Sequence, residues 1–343
     1  HALGIPTTRS LAVAATGEDV FRPGALPGAV LTRVAASHIR VGTFEWAAAR
    51  GGEAALRALI DHTVRRHFPE CSAALNPARA LLAAVVERQA ILIARWMQVG
   101  FVHGVMNTDN MAVAGETIDY GPCAFMDTYD PATGFSSIDA HGRYAYGNQP
   151  GIAQWNLARF AETLLPLLHP DEAPAIAVAT EALGEFAQRY QHHWLAGMRG
   201  KLGLFAGEPE DLALVEALLA WMHASKADFT NTFAELIPDL PPADVRRTDT
   251  TLVAWQARWQ ARLGRQPQSA AESIALRRAH NPAVIPRNHL VEAALAAAEQ
   301  GDLGVMERLL QVLATPYAYG RHAPEYRSPA PEGRADYRTF CGT

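Results

Sequence analysis

The sequence predicts an α+β protein in which a small antiparallel sheet region precedes a large, mostly helical lobe. Three observations carry this. Residues 10 to 45 are rich in short β-branched runs separated by turn residues. From Phe44 onward apolar residues recur at helical spacing almost to residue 313. One acidic stretch, His103 to Asp127 (HGVMNTDNMAVAGETIDYGPCAFMD), interrupts the helices early.

Within the first region Ser10 to Ala15, Ala29 to Val34 and Ile39 to Phe44 read as strands, with a turn at Gly17-Glu18-Asp19. Helices follow at Glu53 to Phe68 and at Pro77 to Val99, where Pro77 sits at a tolerated first-turn position. In the second of these Leu81, Leu82, Val85, Val86, Leu92, Ile93, Trp96 and Met97 mark the core face. After the acidic stretch, Asn148 to Leu168 is helical and stops at His169-Pro170. Helical patterns continue over 172–195, 208–224, 229–236, 250–263, 268–279 and 288–313. Beyond Pro316 the chain loses periodicity and reads as a tail that wraps the body or stays disordered.

With 343 residues, 49% hydrophobic and 19% charged, the chain is long enough for a large core and more than one lobe. Its net charge is -5 and its basic residues are scattered, which favours neither nucleic acid nor a membrane surface as partner. No apolar run approaches the roughly 20 residues that span a bilayer, and no signal pattern opens the chain, so a cytoplasmic location is expected. Lys201 and Lys226 are the only lysines, and the Ala- and Arg-rich composition looks bacterial. The opening HALGIPTTRSL reads as the middle of a domain, from which a preceding N-terminal piece is expected. Cys71, Cys123 and Cys341 form no C-x-x-C pair and read as reduced thiols.

Asn110 and Asp119 are hard oxygen ligands nine positions apart around the apolar run MAVA. A short β-hairpin between them would bring both to one Mg²⁺, which proteins commonly hold with one or two oxygen side chains plus substrate phosphates. The same residue types also cap turns. A reduced sheet, a long helix, then an acidic loop is the order of elements in protein-kinase-like folds. There the catalytic loop reads H-R-D-x-x-x-x-N and a D-F-G loop follows. His103 lies seven residues before Asn110, the same interval, and Asp119-Tyr120-Gly121 stands where D-F-G would. Val105 occupies the base position and cannot accept a proton, which speaks against a conventional kinase. His103 is expected to support the loop through backbone hydrogen bonds, and the other histidines to be packing or surface residues.

HGVMNTDNM, IDYGPCAFMD, HALGIPTTRSL, VLTRVAASHIRVGTFE and RRAHNPAVIPRNHL together resemble the selenoprotein O family, which includes the bacterial YdiU proteins. The similarity runs from His1 to about residue 315. It implies a protein-kinase-like fold: residues 1–45 as the remnant of a β-rich N-lobe, 46–315 as the helical C-lobe with catalytic and metal loops at 103–127, and 316–343 as a C-terminal tail. It implies a protein adenylyltransferase that moves AMP from ATP, bound in a flipped orientation, to Ser, Thr or Tyr hydroxyls of proteins. Under it Asn110 and Asp119 are metal ligands for Mg²⁺, with Mn²⁺ as the alternative, and Asp119 also lies near the phosphates. Asp109 is the proton acceptor, and Arg33 and Arg40 contact the nucleotide. Guanidiniums suit that task because they hold a phosphate bidentately. The Gly-rich loop, the Lys and its Glu partner that precede HALGIPTTR in the family are absent from this chain, so the polypeptide alone is expected to bind ATP weakly. A non-catalytic nucleotide-binding scaffold is the alternative reading. Arg277, Arg278, Arg287 and Asn288 are expected to cap helices and pack the lobe, and Asp127 and Asp139 to cap turns or face solvent. Cys123 and Cys341 are a candidate redox bridge.

Overall fold

The computed structural model describes residues 1–21, 24–238, 249–331 and 337–339. It is mixed, with two small antiparallel sheets and a dominant helical body. β1 (Arg9–Phe21) and β2 (Ala25–Val34) form a hairpin with Arg9 opposite Val34 and Phe21 opposite Ala25. The expected turn at Gly17-Glu18-Asp19 lies inside β1. Gly17 takes φ +76°, and the register shifts between Ala15 and Asp19, so the extra residues are absorbed as a bulge and the strand continues. Nearly every side chain of the hairpin is exposed, and only Gly28 is buried.

The expected strand at Ile39 to Phe44 is a helix instead. α1 spans Val41–Trp46, and only Arg40 keeps a strand-like bridge, to Ala112. β-branching at Val41 and Thr43 favours a strand, but that preference yields to local capping and burial. Thr43 Oγ1 accepts the Arg40 backbone N–H at 3.1 Å, which opens the helix. Phe44 meets Phe160 edge to face at 4.8 Å.

α2 (Gly52–His67) and α3 (Pro77–Val99) match their expected positions. Asn76 caps α3 by accepting the Arg79 N–H at 3.0 Å, and Gly100, at φ +71°, ends it in the left-handed region that favours glycine. α3 is buried along most of its length and packs against α4 (Gln149–Leu168) and α5 (Glu172–Leu202). α6 (Asp211–Ala224), α7 (Phe229–Ala234), α8 (Thr250–Leu263) and α9 (Ala270–His280) complete this body. The single helix expected over 288–313 is broken into α10 (Asn288–Glu299) and α11 (Gly304–Leu313). Gly301 at φ +88° reverses the chain, and Asp302 Oδ1 accepts the Gly304 N–H at 2.8 Å. Among the described residues no helix is long and apolar enough to cross a membrane.

The described part of the tail wraps the body. Tyr317 donates its hydroxyl to the Leu3 carbonyl at 3.1 Å, and Tyr337 donates to Glu292 at 2.8 Å. Thr339 bridges to Ser136 and donates its hydroxyl to the Pro122 carbonyl at 2.9 Å. Cys341 lies outside the described residues, and so does its pairing with Cys123.

Candidate functional site

The acidic stretch is held from below by α3 and from both sides by the N-terminal third of the chain. β3 (Phe101–Val102) pairs with β4 (Ala124–Phe125), closing the stretch at its base. Residues 111–117 do not form the expected hairpin, because the neighbouring backbone outcompetes local pairing. Ala112 bridges antiparallel to Arg40, and Thr117 bridges parallel to Thr7. Val41 N–H donates to Met111 O and Val113 N–H to Ile39 O, both at 3.0 Å, while Thr117 N–H donates to Pro6 O at 2.9 Å. α3 adds three side chains: Gln89 donates to the Ala112 carbonyl at 2.7 Å, Trp96 Nε1–H to Thr117 Oγ1 at 2.9 Å, and Arg88 to the Ala114 carbonyl at 3.2 Å. Trp96, expected only as core, is therefore also a hydrogen-bond donor to this segment.

His103 is the organising residue, as expected. It is fully buried beside Trp96 and Phe101. Nε2 stands 2.8 Å from the Ile118 carbonyl, and Nδ1 faces the Val105 N–H at 3.4 Å. Those partners assign the neutral tautomer with the proton on Nε2. Burial lowers its pKa below the usual value, which keeps it neutral. One imidazole thus ties the residue before Asp119 to the turn that carries Asn110. Two buried amides of α4 complete the support. Gln149 accepts the His103 N–H at 3.0 Å and donates to the Phe101 carbonyl at 2.9 Å, and Asn156 donates to the Met106 carbonyl at 2.8 Å. Sequence reading missed Gln89, Gln149 and Asn156; the available signal was an amide on an otherwise apolar helix face.

On this frame Asp109 and Asn110 lie in the 3₁₀ turn Thr108–Asn110, whose first N–H groups are capped by Asn107 Oδ1, 2.9 Å from Asp109 N. Asn110 donates Nδ2–H to the Val105 carbonyl at 2.9 Å, which turns its oxygen the other way, where it accepts no hydrogen bond among the described residues. The Asp109 carboxylate lies against Gly42 so closely that a Cβ there would stand 2.3 Å from Oδ1. Asp119 adopts φ +64°, a conformation that Asp tolerates better than most side chains. Its carboxylate is half exposed, and Arg33 Nη1 from β2 reaches to 3.6 Å of it. Arg40 lies on the bridge to Ala112, and its buried Nε has no hydrogen-bond partner among the described residues. The structure therefore brings Arg33 to Asp119, and Arg40 and Gly42 to the segments that carry Asp109 and Asn110.

Other expectations resolve differently. Asp127 is neither a simple turn cap nor solvent-facing. Arg287, 1% exposed at its side chain, bonds Asp127 and Asp228 at 2.6 Å each and the Arg327 carbonyl at 2.9 Å. Burial, with Asp127 close by, holds the Asp228 carboxyl above its ordinary value despite Arg287. Asp139 does cap a turn, accepting the N–H groups of Arg143 and Tyr144. Burial pushes the Cys123 thiol up to about 12, so it is a thiol and not a thiolate at neutral pH. No group of three or more His, Cys, Asp or Glu gathers to hold a metal among the described residues. A cavity of about 540 Å³ lies on the other side of Tyr120, lined by Trp96, Phe125, Val291 and Tyr337 among others but by none of Asp109, Asn110 and Asp119.

The family described as "Protein adenylyltransferase SelO" matches residues 1–314, and the chain belongs to that family. The proteins called protein nucleotidyltransferase YdiU are similar to it throughout. That of Halalkalibacterium halodurans is 60% identical over 349 residues, covering 100% of this chain and 70% of the relative. That of Brevibacillus brevis is 58% identical over 344 residues with the same coverage. That of Geobacillus kaustophilus is 58% identical, with 71% of its length covered.

Proposed function

We propose that this protein is a nucleotidyltransferase that moves AMP from ATP to Ser, Thr or Tyr hydroxyls of proteins, on a protein-kinase-like scaffold with a flipped nucleotide. The observation that carries the reading is the shared support of the loop: buried His103 holds Val105 and Ile118, and so the turn with Asp109 and Asn110 and the one with Asp119. The names and family of the relatives point the same way.

Asn110, whose oxygen accepts no hydrogen bond among the described residues, and half-exposed Asp119 are the hard-oxygen donors that would hold Mg²⁺ or Mn²⁺ together with phosphate oxygens and water. A metal bound there would supply charge neutralisation at the phosphates. In this reading Arg40, whose buried Nε has no hydrogen-bond partner among the described residues, and Arg33, loosely held by Asp119, donate to phosphate oxygens. Asp109 takes the proton of the attacking hydroxyl, since Val105 has no group to do so. The new bond joins the acceptor oxygen to the α-phosphorus, the bond to the bridging oxygen breaks, and pyrophosphate leaves. Fixed donors around the phosphates stabilise the charge that develops there.

Labelling separates this from phosphoryl transfer. With a protein acceptor, label from α-³²P ATP is expected to be retained on protein and label from γ-³²P ATP lost. Retention of γ label instead would identify a kinase. Asp119→Ala is expected to abolish transfer; nucleotide binding without turnover in the extended chain, with the cell's modification pattern unchanged by Asp119→Ala, would support the scaffold reading. Titration of the 343-residue chain with ATP and Mg²⁺, beside a chain extended to its relatives' length, tests the expected weak binding.

A further inference from the structure

The support helix α4 has a second, exposed stripe. Its buried stripe carries Asn156, on the Met106 carbonyl, and Phe160, on Phe44 of α1. Between and beside them stand Trp155, which is 41% exposed, and Arg159. Arg159 is three residues beyond Asn156, about 4.5 Å along the helix axis from the residue that holds the Met106 carbonyl.

Trp155 lies between two guanidiniums. Arg143 Cζ is 4.9 Å from its ring centroid and Arg159 Cζ 5.7 Å. Arg143 also stands 5.7 Å from the Tyr144 ring. Asp139, the nearest acid in sequence, spends its carboxylate on the backbone N–H groups of Arg143 and Tyr144. That leaves the Arg143 guanidinium on aromatic faces, with no ion pair among the described residues. Arg159 pairs with Glu162 on its outer side, and its buried Nε has no hydrogen-bond partner among the described residues. Aromatic contact orients a guanidinium plane without consuming its donors. Two oriented cations on an exposed indole, in a chain of net charge -5, complement an acidic chain segment.

We propose that Arg143, Trp155 and Arg159 form the docking surface for an acidic stretch flanking the accepting hydroxyl of a protein substrate. This rests on the reading above that the acceptor is a protein. Two synthetic peptides of equal length, one with Ser flanked by Glu and one with Ser flanked by Lys, are titrated into the full chain by calorimetry. Tighter binding of the Glu peptide, weakened by added salt, is expected. Its affinity falls roughly tenfold in R143E/R159E, as expected when charged contacts are reversed. R143A, in an exposed loop, keeps the fold and loses affinity severalfold, which covers the case in which R159E misfolds. Equal binding of the two peptides, or wild-type affinity in R143A and the double variant, overturns the proposal. Binding as expected without any α-label transfer by a chain extended to its relatives' length leaves the docking surface standing and removes the transferase reading. Transfer that is equally efficient in wild type and R143A does the reverse.

Discussion

Two aspartate–arginine contacts lie eight residues apart in the same loop, and they are built in opposite ways. Asp119 and Arg33 are 3.6 Å apart with side chains 51% and 37% exposed. Asp127 and Arg287 are 2.6 Å apart, with Arg287 buried and a second carboxylate, Asp228, at the same distance. The first pair is loose, solvated and joined across two elements that a ligand can part. The second is closed and mostly desolvated, and backbone groups of the tail at Arg327 and Ala330 add to it. A carboxylate that must exchange an arginine for a metal or a phosphate has to remain wet. A carboxylate that fixes the path of the loop gains from being dry and fully bonded.

The widest test of this contrast is Arg287→Ala, which strands two mostly covered carboxylates and should cost about 3–5 kcal/mol of unfolding free energy in a denaturant titration. A loss below 1 kcal/mol would place the clamp in the same class as the exposed pair.

Lys201 sharpens the comparison as a buried cation with no carboxylate partner among the described residues. It is 2% exposed, its ammonium lies 4.3 Å from the Phe233 ring centroid, and burial pulls its pKa from 10.5 to about 7. Below the folded value the lysine is charged in both states and its burial is fully penalised. Between the two values the unfolded chain binds the extra proton, so stability rises with pH, by up to about 1 kcal/mol per pH unit. Lys201→Met should flatten this rise in melts between pH 7 and 10, and identical slopes would argue against a depressed lysine. The smallest stability effect is expected for Arg33→Ala, whose exposed pair is worth about 0–1 kcal/mol. Nucleotide affinity should fall much further than stability in that variant, and a fall in melting temperature without a change in affinity would make Arg33 structural.

Much of the fold is legible in the sequence where periodicity is long. The 23 residues of α3 and the 20 of α4 fall where apolar spacing and the Pro signals put them. Ile39 to Phe44 misleads because Val41, Thr43 and Phe44 suit either state, and the decision falls to a Thr43 cap and a Phe160 contact from 116 residues away. The 288–313 break is local chemistry, Gly301 and Asp302, overridden in reading by the apolar repeat on both sides. In the candidate site, spacing singles out His103, Asn110 and Asp119, and Asp109 is drawn from the family resemblance. Their supports are not legible, because Gln89, Gln149 and Asn156 bond backbone carbonyls, which carry no residue signature. The clamp is hidden for another reason: Arg287 and Asp127 are 160 residues apart.

The tail contacts described above also order events in time. Thr117 meets Pro6 and Thr8 across about a third of the chain, whereas Thr339 reaches Pro122 across a separation of 217 residues. Closing a longer loop costs more entropy and is made later. The acidic stretch therefore gains its flanking strands early, while the strap over Pro122 and Ser136 is the last piece to settle. Pulsed hydrogen exchange during refolding should protect the amide of Val113 before that of Ser137. A nascent chain would then carry an assembled loop before its own C-terminus has closed over it.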